Sequence, residues 1–232
     1  MLTAPQFSPT ALGAVRERVA NAARRAGRDP ASVCLLAVSK QHPASMVRAA
    51  YAAGQRDFGE NYVQEATAKV DELADLAGVR WHFIGQLQAN KTREVAERFA
   101  WVHTVDRERI AARLSAQRPH HAPPLRVLLQ VRLGDEPGKG GIAPEGVAAL
   151  ATVVGAMPRL SLRGLMCIPP PAQSFDDRRR PFRRLRELLE RLNANGHRMD
   201  TLSMGMSDDL EAAVAEGATI VRIGTAVFGS RT

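Results

Sequence analysis

Two spacings of apolar residues alternate along this chain. Short apolar runs predict strands at 33–40, 57–61, 81–85, 101–106, 126–133, 162–168, 201–204 and 218–223. Between most of them apolar positions recur three and four residues apart. That spacing predicts helices at 43–53, 62–76, 90–98, 107–117, 144–156, 178–195 and 208–216. A further helix over about 8–26, with Leu12, Val15, Val19 and Ala22 on one face, precedes the first strand. Eight strands with seven intervening helices predict an α/β fold, a closed (β/α)8 TIM barrel with an extra N-terminal helix. An open doubly wound sheet is the alternative. The strand count, and the lack of a Gly-x-Gly-x-x-Gly turn after the first strand, favour the barrel. Little chain follows the last strand, so the N-terminal helix is expected to cover the wall an eighth helix would occupy. No linker, repeat or low-complexity tract divides the sequence, which reads as one domain over 1–232.

Composition narrows the classes. A chain of 232 residues, 45% hydrophobic, can bury a substantial core. No apolar run reaches the ~18 residues of a membrane span, and the N-terminus lacks a signal-peptide pattern. Cys34 and Cys167 both fall in apolar strand-like runs, which reads as core packing rather than a disulfide or metal pair. A bacterial-type cytoplasmic protein is the expectation. Much of the net charge of +8 lies in residues 176–191. There Leu185, Leu188, Leu189 and Leu192 form an apolar stripe, so the arginines decorate a solvated helix face rather than a nucleic-acid patch.

The chemistry gathers at predicted strand ends. Lys40 closes the apolar run Val33-Cys34-Leu35-Leu36-Ala37-Val38-Ser39-Lys40. A lysine with its stem in apolar surroundings and its amine at a strand mouth loses some of its preference for the ammonium form. It can then form a Schiff base with an aldehyde. The chain has four lysines (Lys40, Lys69, Lys91, Lys139) against 28 arginines. Glu60-Asn61, Gly85, Asp106 and Met166 occupy other strand ends. Two turns rich in small residues, Ser203-Met204-Gly205-Met206-Ser207 and Arg222-Ile223-Gly224-Thr225, follow the last two strands, where barrels commonly bind phosphate. The plainer reading of the first is helix capping, with Ser207 as N-cap. Strand alternation sends Arg222 inward, where a buried guanidinium needs an acceptor or ligand. A lysine, a phosphate cup and an inward arginine together describe pyridoxal 5′-phosphate. The stretches 134–141 and 169–174 read as mobile loops at the same face.

Several stretches, in order along nearly the whole chain, carry a resemblance. They include Ala37-Val38-Ser39-Lys40, Phe58-Gly59-Glu60-Asn61-Tyr62-Val63-Gln64-Glu65 and His82-Phe83-Ile84-Gly85-Gln86-Leu87-Gln88-Ala89-Asn90-Lys91. Others are Gly164-Leu165-Met166, Leu202-Ser203-Met204-Gly205-Met206-Ser207-Asp208-Asp209 and Val221-Arg222-Ile223-Gly224-Thr225-Ala226-Val227-Phe228-Gly229. The chain resembles the YggS/PROSC family of pyridoxal-phosphate-binding proteins, themselves similar to the barrel domain of alanine racemase. The resemblance implies a fold-type III cofactor site with the Schiff base on Lys40. It implies phosphate contacts from Ser203, Ser207, Gly224 and Thr225, Arg222 at the pyridine nitrogen, and Asn61 beside the ring. Met166 and His82 are expected to line the pocket, His82 being readable equally as a core histidine. Glu60 is expected to orient Asn61 or a neighbouring amine. Gln86 stands where the family commonly has proline.

The resemblance further implies a cofactor carrier in pyridoxal phosphate homeostasis and amino- and keto-acid balance, without robust catalysis. An amino-acid racemase is the alternative. It needs a second base, and neither Tyr51 nor Tyr62 is an obvious match. The expected partners are the cofactor and the apo-enzymes that receive it, with no nucleic acid or membrane, and a monomer is the expected state. Lys91 and Lys139 stay open as places for a second cofactor molecule.

Overall fold

The computed structural model describes residues 7–134 and 140–230. Helix α1 (Pro9–Arg25) begins where Ser8 accepts a hydrogen bond from the Ala11 amide and Pro9 supplies a preset φ. Eight parallel strands follow: β1 (Cys34–Val38), β2 (Asp57–Glu60), β3 (Arg80–Phe83), β4 (Trp101–Val105), β5 (Leu125–Gln130), β6 (Leu160–Met166), β7 (Thr201–Ser203) and β8 (Ile220–Ile223). They close in sequence order, β8 pairing with β1 through Cys34↔Ile220 to Ala37↔Ile223. The helices between them are α2 (Ala44–Ala52), α3 (Val63–Glu72), α4 (Thr92–Arg98), α5 (Glu108–Gln117), α6 (Val147–Gly155), α7 (Phe175–Ala194) and α8 (Leu210–Ala215). A four-residue helix, α9 (Thr225–Phe228), follows β8. The barrel and its N-terminal helix are those expected. α1 lies against α8 and α9, with Arg18 gripping Glu211 through two 2.7 Å hydrogen bonds.

Strand alternation divides the burial into two compartments. Outward residues such as Phe58, Phe83, Val102, Val127 and Val221 join Val47, Ile110, Leu114 and Phe182 of the helices in one continuous core. The inward residues form two smaller apolar clusters. Leu36, Val38, Ile84 and Ile220 make one, and Trp101, Leu128 and Met166 the other. Polar side chains thread between these clusters.

The arginine-rich helix α7 buries Phe182, Leu185, Leu188 and Leu192. Arg180, Arg183, Arg184 and Arg191 lie on the exposed face, as the stripe implies. Arg179, Arg183 and Arg186 converge on Glu216, at 2.7, 3.1 and 3.5 Å, and that carboxylate is 3% exposed. Of the two expected loops, residues 169–174 end at Ser174, the N-cap of α7. The core of the other, including Lys139, lies outside the described residues. No helix among the described residues is long and apolar enough to cross a membrane. Cys34 and Cys167 are free, and burial pushes both thiols up to about 12.

Candidate functional site

Parallel strands bring their C-terminal ends to one rim, and six of the nine predicted site residues line one cavity there. Lys40, Asn61, Ser207, Arg222, Gly224 and Thr225 share a space of about 570 Å³ with Val38, Ile84, Ile168, Met206, Asp208 and Ala226. Lys40 follows β1 after Ser39, whose amide still bonds the Gly59 carbonyl at 3.0 Å. Asn61 follows β2, and its Oδ1 is buried without a hydrogen-bond partner among the described residues. Thr225 opens α9, so the amides of Thr225 and Ala226 are first-turn donors with no intrahelical acceptor. A second cavity of about 240 Å³ shares Asn61, Ile84 and Ile168 with the first.

Arg222 is 5% exposed, yet it lines the cavity. Its Nη1 donates to Ser203 Oγ at 2.9 Å and its Nη2 to the Cys167 carbonyl at 2.9 Å. Burial pushes its pKa down, but a guanidinium keeps its charge at neutral pH. Both bonds hold it from below.

The remaining three predicted residues lie under the cavity rather than on its wall. Ser203 is fully buried one layer down, because it ends the three-residue strand β7 while Ser207 sits four residues further along the turn. Met166 is fully buried with Trp101 and Leu128 inside the barrel. His82, 1% exposed, stacks on Trp101 with ring centroids 5.5 Å apart. Its reading as a core histidine is the one the packing matches. Nor does Ser207 cap α8. Asp209 holds that position and accepts the Met206 amide at 2.6 Å, because its carboxylate reaches back across the turn.

His82 and Ser203 belong to one chain of hydrogen bonds through the barrel. Asp57 Oδ1 lies 3.1 Å from His82 Nε2, and His82 Nδ1 lies 3.0 Å from His103 Nε2. His103 Nδ1 then lies 2.9 Å from Ser203 Oγ. Burial pushes both imidazoles below their ordinary pKa, so both are neutral. Burial alone would raise the Asp57 carboxyl. The hydrogen bonds from His82 and Arg80 outweigh it and hold the group well below the carboxylate range. One proton arrangement then satisfies every link. Arg222 donates to Ser203, Ser203 to His103, His103 to His82, and His82 to the Asp57 carboxylate.

Sequence reasoning missed Asp57, His103 and Lys69. His103 is an inward position of β4 beside His82 of β3, a signal of two histidines at matching alternation. Lys69 Nζ donates to Glu60 Oε1 at 2.6 Å, to the Ser39 carbonyl at 2.8 Å and to Glu65 Oε1 at 3.0 Å. Glu60 thus engages a neighbouring amine, and burial raises its carboxyl against the pull of Lys69. Lys91 donates to Glu94 at 3.4 Å on the outside of the barrel. No cluster of His, Cys, Asp and Glu that could hold a metal occurs among the described residues.

This is the architecture of the alanine racemase barrel: the family described as alanine racemase, N-terminal domain, matches residues 11–232. A Pseudomonas aeruginosa protein named pyridoxal phosphate homeostasis protein is 60% identical over 94% of this chain and 93% of its own length. An Escherichia coli K12 protein of the same name is 50% identical, covering 95% of each chain. The solved structure of PipY from Synechococcus elongatus PCC7942, with PLP bound, superposes with a TM-score of 0.82 at 41% identity. That match covers 93% of this chain and 100% of PipY. The chain belongs to the YggS/PROSC family of pyridoxal phosphate homeostasis proteins.

Proposed function

We propose that this protein binds pyridoxal 5′-phosphate as a Schiff base on Lys40, and holds and releases it in intracellular cofactor homeostasis without robust catalysis. The observation that carries the reading is the convergence of Lys40, Arg222 and the two small-residue turns on one cavity. The residues fit the group. Thr225 and Ser207 offer hydroxyls, and the first-turn amides of α9 offer unspent donors, for a phosphate. Asn61 Oδ1 awaits a donor. Arg222 presents a donor for a ring nitrogen. Residues lining the cavity are the ones assigned to contact; Ser203 supports Arg222 from beneath, His82 braces Ser203 through His103, and Met166 closes the layer below. The relatives' names and the PLP in PipY support the same cofactor.

When bound, the cofactor supplies an electrophilic aldehyde and a ring able to accept electrons. Arg222 limits the second property. A guanidinium donates its hydrogen bond and does not surrender the proton, so a ring nitrogen held against Arg222 would stay unprotonated. The chain beneath Arg222 offers no acid either, both imidazoles being neutral. Neither tyrosine lines the cavity. Tyr51 donates its hydroxyl to the Ala77 carbonyl, and Tyr62 is 52% exposed. These features favour holding over turnover. In this reading the protein is a cytoplasmic monomer, it serves amino- and keto-acid balance by supplying apo-enzymes, and nucleic acid and membranes are not its partners.

The test is an absorbance titration with pyridoxal phosphate, beside Lys40→Ala. A visible band lost in the variant, with borohydride-trapped cofactor mapping to Lys40, is the expected result. A band that survives Lys40→Ala would refute the assignment. Rapid exchange of an amino-acid α-proton for deuterium would favour the racemase alternative.

A further inference from the structure

A buried ion cluster brackets Lys40. Glu60 is fully buried and Lys69, on α3, is 5% exposed. An ammonium has three N–H donors, and Lys69 directs them at Glu60, Glu65 and the Ser39 carbonyl. Glu60 Oε1 also accepts from Ser39 Oγ at 2.6 Å, and Glu65 Oε1 accepts from the Gln41 amide at 2.5 Å. The carbonyl of Ser39 and the amide of Gln41 belong to the two peptide groups flanking the Lys40 Cα. Both are therefore pinned by one cluster. Gln41 is held at φ +61°, a left-handed conformation that a residue other than glycine adopts rarely. A buried ion pair is a poor device for stability alone, since apolar replacements of similar volume often stabilise more. Its place around one lysine calls for another purpose.

We propose that Lys69, with Glu60 and Glu65, is a positioning device for Lys40. The proposal rests on the Schiff-base reading and deepens it. With both flanking peptides fixed, the backbone at Lys40 needs no reordering when the amine meets the aldehyde. Lys40 Nζ, as the neutral amine, attacks the aldehyde carbon. A C=N bond replaces C=O, and the oxygen leaves with the two amine protons as water. Fixing the base of the lysine raises the fraction of encounters with the correct approach. Saturating the donors of Lys69 also removes a rival amine.

The test uses the full chain, Lys69→Met and Glu65→Ala, and two probes. Pyridoxal 5′-phosphate reports formation of the covalent link by stopped-flow absorbance. Pyridoxine 5′-phosphate has the same ring and phosphate but an alcohol in place of the aldehyde, so it reports the non-covalent contacts alone. Lys69→Met should slow the covalent step by about 10- to 100-fold and leave pyridoxine 5′-phosphate affinity within about threefold. Glu65→Ala should act in the same direction, and Glu65→Gln, which keeps an acceptor for the Gln41 amide, should recover most of the rate. In the ligand-free protein the Gln41 amide should exchange its hydrogen at least about tenfold faster in Glu65→Ala. Unchanged covalent rates in the variants would overturn the proposal. So would a parallel loss of affinity for both probes, which would mark a general loosening of the fold. Should Lys69→Met fail to fold, the two Glu65 variants decide, that side chain being 29% exposed. Absence of a trapped link in the wild type would instead remove the Schiff-base reading itself.

Discussion

Arg222 rests on Ser203: its Nη1 donates to Ser203 Oγ at 2.9 Å, while the hydroxyl faces His103 on its other side. Ser203 thus bears on the guanidinium and is not among the residues that line the cavity. Ser203→Ala should loosen Arg222 and leave His103 Nδ1 without its donor. One hydrogen bond to a charged group corresponds to ~1.5–3 kcal/mol. Affinity for pyridoxal phosphate should fall roughly tenfold or more, and affinity for inorganic phosphate should stay unchanged. Calorimetry with both ligands checks this; an equal loss for both would place Ser203 at the phosphate.

The paired imidazoles give stability a definite dependence on pH. Both are held below their ordinary pKa by burial. The unfolded chain therefore binds protons that the folded chain does not, once pH falls to about 6.5. The histidine contribution is complete above that pH and is lost as pH falls towards the folded values. The slope is at most ~1.4 kcal/mol per pH unit for each imidazole. Urea midpoints should be level between about pH 8 and 7 and should drop between about pH 6.5 and 5. Asp57 is shifted in the same direction but unfolds with a pKa near ~3.9, so its own contribution is lost only in stronger acid. A midpoint that rises on acidification would contradict neutral imidazoles.

Gly85 packs against the backbone of Asn61. A Cβ placed there would lie inside contact distance of the Asn61 carbonyl oxygen, which has no flexible side chain to yield. Gly85→Ala should push the ends of β2 and β3 apart and move Asn61 at the cavity wall. We expect a loss of about 1–3 kcal/mol in unfolding free energy, together with weaker cofactor binding. Thermal unfolding and an absorbance titration would show both. Wild-type values in each would mean that the two strand ends can separate freely.

Glu216, capping the end of α8, pairs with three arginines of α7 at once. Glu216→Ala leaves those guanidiniums facing one another around an empty place. The expected cost is about 1–3 kcal/mol, read as a lower thermal midpoint that added salt partly restores by screening. A change of less than about 0.5 kcal/mol would mean the cluster is no more than surface decoration.

Strand and helix order was legible because each strand is an apolar run and each helix an apolar stripe. Limits were less so. The predicted 33–40 ends in the structure at Val38, and the Ser39 amide still bonds β2, through the Gly59 carbonyl, before the chain leaves the sheet at Lys40. The predicted 126–133 ends at Gln130, and apolar Val131 instead bridges Ile142. Within the site, Lys40 could be found because it follows β1, and Arg222 and Thr225 because they stand on either side of the end of β8. The depth of Ser203 could not, because it depends on the stagger between neighbouring strands. Nor could the partnership of His103 with a serine one hundred positions away. Nothing in the sequence singles out Glu65 and Lys69 as partners, and only the packing of α3 on the barrel buries the lysine.

The scarcity of lysine has a meaning for a protein that would carry an aldehyde. Such cargo condenses with free amines and adds to thiolates, so its carrier is also its nearest victim. Positive charge here rests on 28 arginines, whose guanidiniums are poor nucleophiles at neutral pH. Lys69 is enclosed by acceptors, and both thiols are pushed up to about 12 and so stay protonated. If Lys40 is the residue that takes such cargo, the sparing use of lysine and the protonated thiols leave few other groups on the same chain for the aldehyde to attack.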